Sequence, residues 1–282
     1  MSDCFFVSDL HGRRNRYLSL FERILAERPE VVFLGGDLFP GLEAQQGGDF
    51  LAEFFVPGLA EIKAELGESY PRIFLILGND DSKHHEEDLK RENNLWEYIH
   101  NRSVAFGIYK IFGYNYVPPT PFLNKDWERY DISRYVDPGC IPPEEGWHSQ
   151  SEALNLIEHA TIQKDLLDLT GKEDLSRAVF LFHAPPYQTC LDRAALDGKM
   201  VDHAPLDVHV GSIAVKEFIL AREPWLTLHG HVHESPRLTG KWMDQFGKTI
   251  SLSAAHDGLE LALVRFQLEE PARATRELIL SP

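Results

Sequence analysis

Five short polar clusters hold the residues of this chain best suited to chemistry: Asp9-Leu10-His11-Gly12, Gly35-Gly36-Asp37, Gly78-Asn79-Asp80-Asp81, the single His183, and Gly230-His231-Val232-His233. Asp9, His11, Asp37, Asn79, His183, His231 and His233 together offer seven oxygen or nitrogen donors. That is too many for one tetrahedral ion. It suits two adjacent divalent ions sharing a carboxylate, with positions left open for water and phosphate. Imidazole and carboxylate without thiolate point to Mn first, with Fe, Zn or Ni as alternatives.

Taken singly, each cluster is weak. An Asp-x-His-Gly loop is more often a turn beside a surface histidine, and a lone His between a buried strand and Ala184-Pro185-Pro186 is more often a core residue. In Gly230-His231-Val232-His233, alternate residues of an extended segment project to one side and can reach neighbouring ions. The strength of the reading lies in the series.

The elements that must position these groups alternate along the chain. Apolar runs at 4–7, 31–34, 73–77, 178–182 and 226–228 read as buried strands, and each ends at one of the clusters. Open α/β sheets place ligands and catalytic groups at such carboxyl ends. Helical patterns run through Leu18, Phe21, Ile24 and Leu25, through Phe50 to Ile62, over 151–170 and over 215–222. Further strands are expected near 104–106, 108–112, 249–253 and 259–268. Ser212 is placed to cap the helix that follows it.

In this order the blocks D-x-H, G-D, G-N, a strand-end His and G-H-x-H resemble the calcineurin-like metallophosphoesterase family over residues 9–233. The resemblance implies an α/β fold, a four-layer α/β/β/α sandwich of two mixed β-sheets flanked by helices. It also implies that Asp9, His11 and His233 hold one metal, that Asn79, His183 and His231 hold the other, and that Asp37 bridges them. The activity implied is hydrolysis of a phosphoester bond by a dinuclear metal centre.

Two positions depart from the family pattern. Where the family carries a histidine after the Asn ligand, for orienting phosphate and protonating the leaving group, this chain has Asp80; a supporting Asp of the family is Pro40 here. An Asp beside two cations stays ionised and is a poor acid at neutral pH, so Asp80 is expected to orient a neighbouring group, with His84 or His85 as a substitute proton donor. Arg13 and Arg14 are candidate phosphate contacts. Family members lacking the histidine often look like phosphodiesterases, which favours a phosphodiesterase acting on a small or nucleotide-like substrate. The alternatives are a phosphomonoesterase, or a catalytically weak binding or scaffold protein of the same fold.

The 282 residues carry a formal net charge of −16, which argues against strong nucleic-acid binding and against adhesion to anionic membranes. Cys4, Cys140 and Cys190 form no Cys-x-x-Cys pair, and no apolar run approaches a membrane span. A cytoplasmic protein is expected. The reading takes 1–282 as one domain with a Pro/aromatic-rich insertion at about 113–150, which covers the site, packs onto the core or mediates homo-oligomer contact.

Overall fold

The computed structural model describes residues 2–41, 48–91 and 93–280. The one-domain reading of 1–282 also takes in residues 1, 42–47, 92, 281 and 282, which lie outside the described residues.

In chain order the strands are β1 Asp3–Val7, β2 Val31–Gly35, β3 Arg72–Ile76, β4 Glu97–Tyr98, β5 Arg102–Phe106, β6 Tyr109–Tyr114, β7 Ala178–Phe182, β8 Met200–Val201, β9 Ala204–Pro205, β10 Leu226–His229, β11 Met243–Phe246, β12 Thr249–Ser253, β13 Leu261–Gln267 and β14 Thr275–Ile279. The helices are α1 Arg14–Glu27, α2 Val56–Leu66, α3 His84–Lys90, α4 Leu154–His159, α5 Ile162–Thr170, α6 Ile213–Arg222 and α7 Ser235–Thr239. Two six-stranded sheets result, in the orders β14-β13-β1-β2-β3-β4 and β11-β12-β10-β7-β6-β5. Both are mixed. β1 to β4 are parallel, with β13 antiparallel to β1; β6, β7, β10 and β12 are parallel, with β5 and β11 antiparallel at the edges.

The alternation of side chains along each strand explains the layers. Cys4, Phe6, Val31, Phe33, Phe74 and Ile76 of the first sheet share an apolar cluster with Ile111, Val179, Leu181, Leu226 and Leu228 of the second. Their sequence neighbours Phe5, Val7, Val32, Leu34, Ile73 and Leu75 pack instead with residues of α1 and α2. Buried strands with two apolar faces need cover on both sides, and the opposite sheet and the helices supply it. The expected α/β/β/α sandwich is present.

Helix α1 buries Tyr17, Leu20, Phe21 and Ile24, one face of a 3.6-residue repeat. The pattern from Phe50 begins as a π-helical turn, Leu51–Phe55, before α2. Pro57 lacks the N–H that a regular α-helix would use there. The single helix expected over 151–170 is instead α4 and α5, broken at Ala160-Thr161, where Thr161 turns extended and its side chain accepts from Lys164 N–H. Helix α6 starts two residues earlier than expected, capped by Ser212 Oγ accepting from Val215 N–H at 3.0 Å. The carboxylate of Asp131 accepts from Ile213 N–H at 2.6 Å and Ala214 N–H at 3.2 Å, so the insertion is pinned to the N-terminus of α6.

The insertion holds one short 3₁₀ turn, Pro143–Glu145. Tyr114, Tyr116, Trp127 and Tyr130 are buried, whereas Phe122, Tyr135 and Trp147 remain exposed. At its centre Lys125 Nζ meets Glu128 Oε2 at 2.5 Å, both side chains fully buried, and Nζ also donates to the Thr120 carbonyl at 2.8 Å.

Candidate metal centre

β1, β2, β3, β7 and β10 run parallel within their sheets, so their carboxyl ends and the loops that leave them lie together. Three of the loops turn sharply. Asp9, His11, Asp37 and His231 adopt left-handed backbone with φ of 57°, 49°, 51° and 73°. Such conformations cost about 1–3 kcal/mol each for residues with a Cβ and persist only where the surroundings impose them. Here they turn four polar side chains inward.

Donor atoms of Asp9, His11, Asp37 and His233 all lie within 4.8 Å of one another. Asp9 Oδ1 accepts from His231 N–H at 3.0 Å and faces His233 Nε2 at 3.2 Å. Its other oxygen, Oδ2, is buried with no hydrogen-bond partner among the described residues. His11 Nε2 stands 3.1 Å from His233 Nε2 and 3.8 Å from Asp37 Oδ2. On the other side of Asp37, Oδ2 is 3.3 Å from His183 Nε2, and that nitrogen is 3.2 Å from Asn79 Oδ1. The His231 ring lies 5.3 Å from that of His183. The structure thus brings all seven donors together, with Asp37 between two groups.

The supporting contacts fix which ring nitrogens face inward. His183 Nδ1 lies 2.8 Å from the Gly35 carbonyl, which only accepts, so Nδ1 carries the proton and Nε2 points at Asp37 and Asn79. His11 Nδ1 lies 3.0 Å from Asp80 Oδ2, leaving its Nε2 inward in the same way. Asp80 is therefore attached to His11. Its backbone N–H also donates to Asp37 Oδ1 at 2.8 Å.

The site calls for positive charge. Burial disfavours ionisation of Asp9, but the hydrogen bond and charge of His233, with His183 behind it, hold its carboxyl at about 2. Asp37 is likewise held well below the ordinary carboxylate range by His183 and His11 against the cost of burial. Burial lowers the affinity of His11 and His183 for protons, yet Asp80, Asp37 and Asp9 around the first and Asp37 and Asp9 around the second raise both to about 9. His231 is pushed the other way, to about 3, by burial and by the charge of His183, so its ring is neutral with a lone pair free to ligate.

The remaining candidates lie elsewhere. His84 is exposed at the start of α3, and His85 packs on Phe39 with ring centroids 4.6 Å apart. Arg13 donates to the Gly258 carbonyl at 3.1 Å, and Arg14 lies over the Phe54 ring. None of the four lines the cavity above the donors.

Three further contributors lie outside the seven donors. Arg16, in α1, is buried and donates to the carbonyls of Asp9 and Gly258. Asp81 accepts from the N–H groups of Leu38, Phe39 and Gly78, fastening the loop after β2 to the loop after β3; burial and the Asp37 charge push its carboxyl up to about 7. Asn124, in the insertion, donates to the Asn79 carbonyl at 3.0 Å.

A family model described as calcineurin-like phosphoesterase matches residues 4–235. One solved structure aligns over 99% of this chain and 99% of its own at 16% identity and a TM-score of 0.60. A protein of Thermus thermophilus, TT1561, aligns over 99% of each chain at 14% identity and a TM-score of 0.54. A dimetal phosphatase from Danio rerio aligns over 100% of this chain and 99% of its own at 10% identity, with a TM-score of 0.49. At these identities the first two show a likeness of fold alone. No curated protein matches the sequence.

Proposed function

Because the chain belongs to the calcineurin-like phosphoesterase family, a family of phosphoester hydrolases, we propose that it is a phosphodiesterase acting on a small substrate through two divalent ions held by the seven strand-end donors. The observation that carries this reading is the convergence of Asp9, His11, Asp37 and His233 on one point, with Asp9 Oδ2 buried and without a partner among the described residues. A buried carboxylate oxygen with nothing to accept from is costly, and a cation relieves it.

In this reading Asp9, His11 and His233 hold one ion, Asn79, His183 and His231 hold the other, and Asp37 is shared. The donor set suits Mn, with Fe, Zn or Ni as alternatives. When bound, the ions supply Lewis acidity toward a phosphoryl oxygen and toward the attacking water.

The protein's own part is positioning. The Gly35 carbonyl and Asp80 fix the inward faces of His183 and His11, and Asp81 ties two ligand loops into one unit. Arg16 braces the Asp9 loop from behind.

The preference for a diester rests on Asp80. Its side chain lies 3.0 Å from His11 Nδ1 where the family carries an imidazole, and neither His84 nor His85 lines the cavity. A substrate whose leaving oxyanion is stable without protonation fits best, above all an aryl ester. A phosphomonoesterase is the second reading, since nothing in the donor set excludes a terminal phosphate; a binding member with weak turnover is the third. The chain is read as one domain over 1–282 with the insertion folded onto it, and its three free cysteines fit a reducing, cytoplasmic setting. No helix among the described residues is long and apolar enough to cross a membrane.

The test is elemental analysis after Mn reconstitution, followed by assay against mono- and diesters with one common leaving group. Two ions per chain and faster diester hydrolysis are expected. One ion or none would refute the dinuclear reading, and faster monoester hydrolysis would refute the substrate class.

A further inference from the structure

A cavity of about 460 Å³ opens on His11, Asp37, Asn79, His231 and His233. The rest of its lining comes chiefly from two segments that contribute no donor to the centre. The insertion supplies Pro119, Pro121 and Phe122 together with the polar Thr120, Asn124 and Cys140, and the long connection between β7 and α6 supplies Ala194, Leu196 and Val210. Among the described residues no lysine or arginine lines it, and its carboxylates besides Asp37 are Asp80 and Glu234. Both acids are engaged, Asp80 by His11 and Glu234 by the Ala195 N–H at 3.0 Å. Arg193, next to Ala194, is tied to Asp197 and to the Ala194 carbonyl.

Both apolar walls are held by buried charged groups that catalysis does not use. In the insertion, Thr120 N–H donates to Glu128 at 2.7 Å while Lys125 holds the Thr120 carbonyl, fixing Pro119 to Phe122. In the other wall, fully buried Asp192 accepts from the N–H groups of Gln188, Thr189 and Gly211 and lies 2.8 Å from His209 Nδ1. The backbone pairs Ala194 N–H with the Val208 carbonyl and Val210 N–H with the Asp192 carbonyl. Preformed pockets of this size with apolar walls and few polar groups bind apolar ligands.

We infer that this cavity receives the organic part of the phosphoester and selects an uncharged, apolar group such as a short alkyl chain or an aryl ring. This rests on phosphoester hydrolysis at the same centre. Two cations can balance one phosphoryl group; a second phosphate or a carboxylate on the substrate would meet two acids and, among the described residues, no lysine or arginine. Substrates bearing one phosphoryl group and an apolar ester group are selected over nucleoside polyphosphates and nucleic acids.

The experiment uses p-nitrophenyl phosphodiesters whose second ester group is methyl, propyl, pentyl or carboxypropyl, so that the leaving group stays constant. In parallel, calorimetry with the Mn-loaded protein follows binding of methyl-, propyl- and pentylphosphonate, which cannot turn over. Each fully buried methylene is worth about fourfold. From methyl to pentyl, kcat/KM and phosphonate affinity should rise on the order of 100-fold, with the carboxypropyl ester poorest. Leu196→Asn and Phe122→Ala should flatten both series at unchanged metal content. Hydrolysis indifferent to chain length, or fastest for the carboxypropyl ester, overturns the inference and leaves the enzyme reading intact. No hydrolysis of any diester, with phosphonate affinity still rising with length and lost in the variants, supports the cavity assignment and overturns the phosphodiesterase reading. No hydrolysis and flat binding overturns both.

Discussion

Replacing Gly78 by alanine tests the metal centre without removing any donor. Gly78 lies outside the left-handed region, so the backbone accepts a side chain there and the effect is steric. Its Cβ would sit 2.4 Å from Asp37 Oδ1, 2.5 Å from His183 Nε2 and 2.6 Å from the Asp37 backbone nitrogen. Ordinary contact begins at about 3.4 Å, so these atoms must separate by about 1 Å. Metal–ligand distances tolerate only about 0.2 Å. The overpacking itself costs about 1–3 kcal/mol, which a folded domain survives. A displacement of about 1 Å at a catalytic group costs on the order of 100-fold in rate. Gly78→Ala should therefore fold, bind one ion or none by elemental analysis, and lose at least about 100-fold in kcat/KM. Gly171→Ala is the control, because a Cβ there meets nothing within 4 Å and bears only the strain of φ +50°; it should lose some stability and keep both metals. If Gly78→Ala binds two ions with wild-type affinity and turns over normally, the shared role of Asp37 beside His183 is wrong.

Asp37→Asn should abolish binding of both ions while His11→Ala weakens chiefly one, and metal titration showing equal two-site loss in both variants would contradict the bridging assignment. For wild type, log kcat should depend steeply on leaving-group pKa, and Asp80→His should flatten that slope by restoring a general acid worth about 10² to 10⁴ on poor leaving groups; a shallow wild-type slope that survives alanine at His84 and at His85 would remove the support for this account of Asp80. Glu128→Ala strands the buried Lys125 ammonium and should cost about 3–5 kcal/mol in urea unfolding, most of it recovered by adding Lys125→Met. Burial, then the charges of Arg129, Lys83 and Lys90, hold His100 well below its ordinary pKa of about 6.5, and its Nδ1 accepts from Asn115 N–H at 3.0 Å. The unfolded chain thus binds a proton that the folded one refuses, so this contribution is complete above pH about 6.5 and is lost as pH falls, by up to about 1.4 kcal/mol per pH unit. In EDTA, the stability difference between wild type and His100→Gln should shrink over that range, and a difference independent of pH would show that His100 titrates alike in both states.

The strands that end at the metal loops were legible because each is a short, continuous apolar run buried on both faces, and the donors follow them directly. Of the edge strands, β5 was expected near 104–106, but β11 and β14 were not. β11 and β14, Met-Asp-Gln-Phe and Thr-Arg-Glu-Leu-Ile, are half polar because one side of each meets solvent. The 151–170 segment reads as one helix because its apolar residues keep the period through the break, and only tertiary pairing of Tyr130 with Thr161 pulls the chain extended there. Lys125 and Glu128 look like a solvated pair at helical spacing, yet packing of the insertion buries both completely. Arg16 has the spacing of an ordinary α1 residue, and its role depends on Gly258, 242 residues away. The donors themselves carry a pattern in sequence, whereas the groups that steady them are defined by contacts between distant loops.

The first strand also sets a timetable for synthesis. β1 lies inside its sheet between β2 and β13, and Gln267 pairs with Asp3 across 264 residues. On a ribosome adding about 5–20 residues per second, roughly 13–50 s pass between the emergence of these two partners. From the synthesis of β2 until that of β13, the edge formed by Cys4, Phe5, Phe6 and Val7 has β2 on one side and an open row of backbone donors and acceptors on the other, a template for pairing with a second nascent chain. Yield in cells should therefore respond to translation speed and chaperone supply more than to the stability of the finished fold.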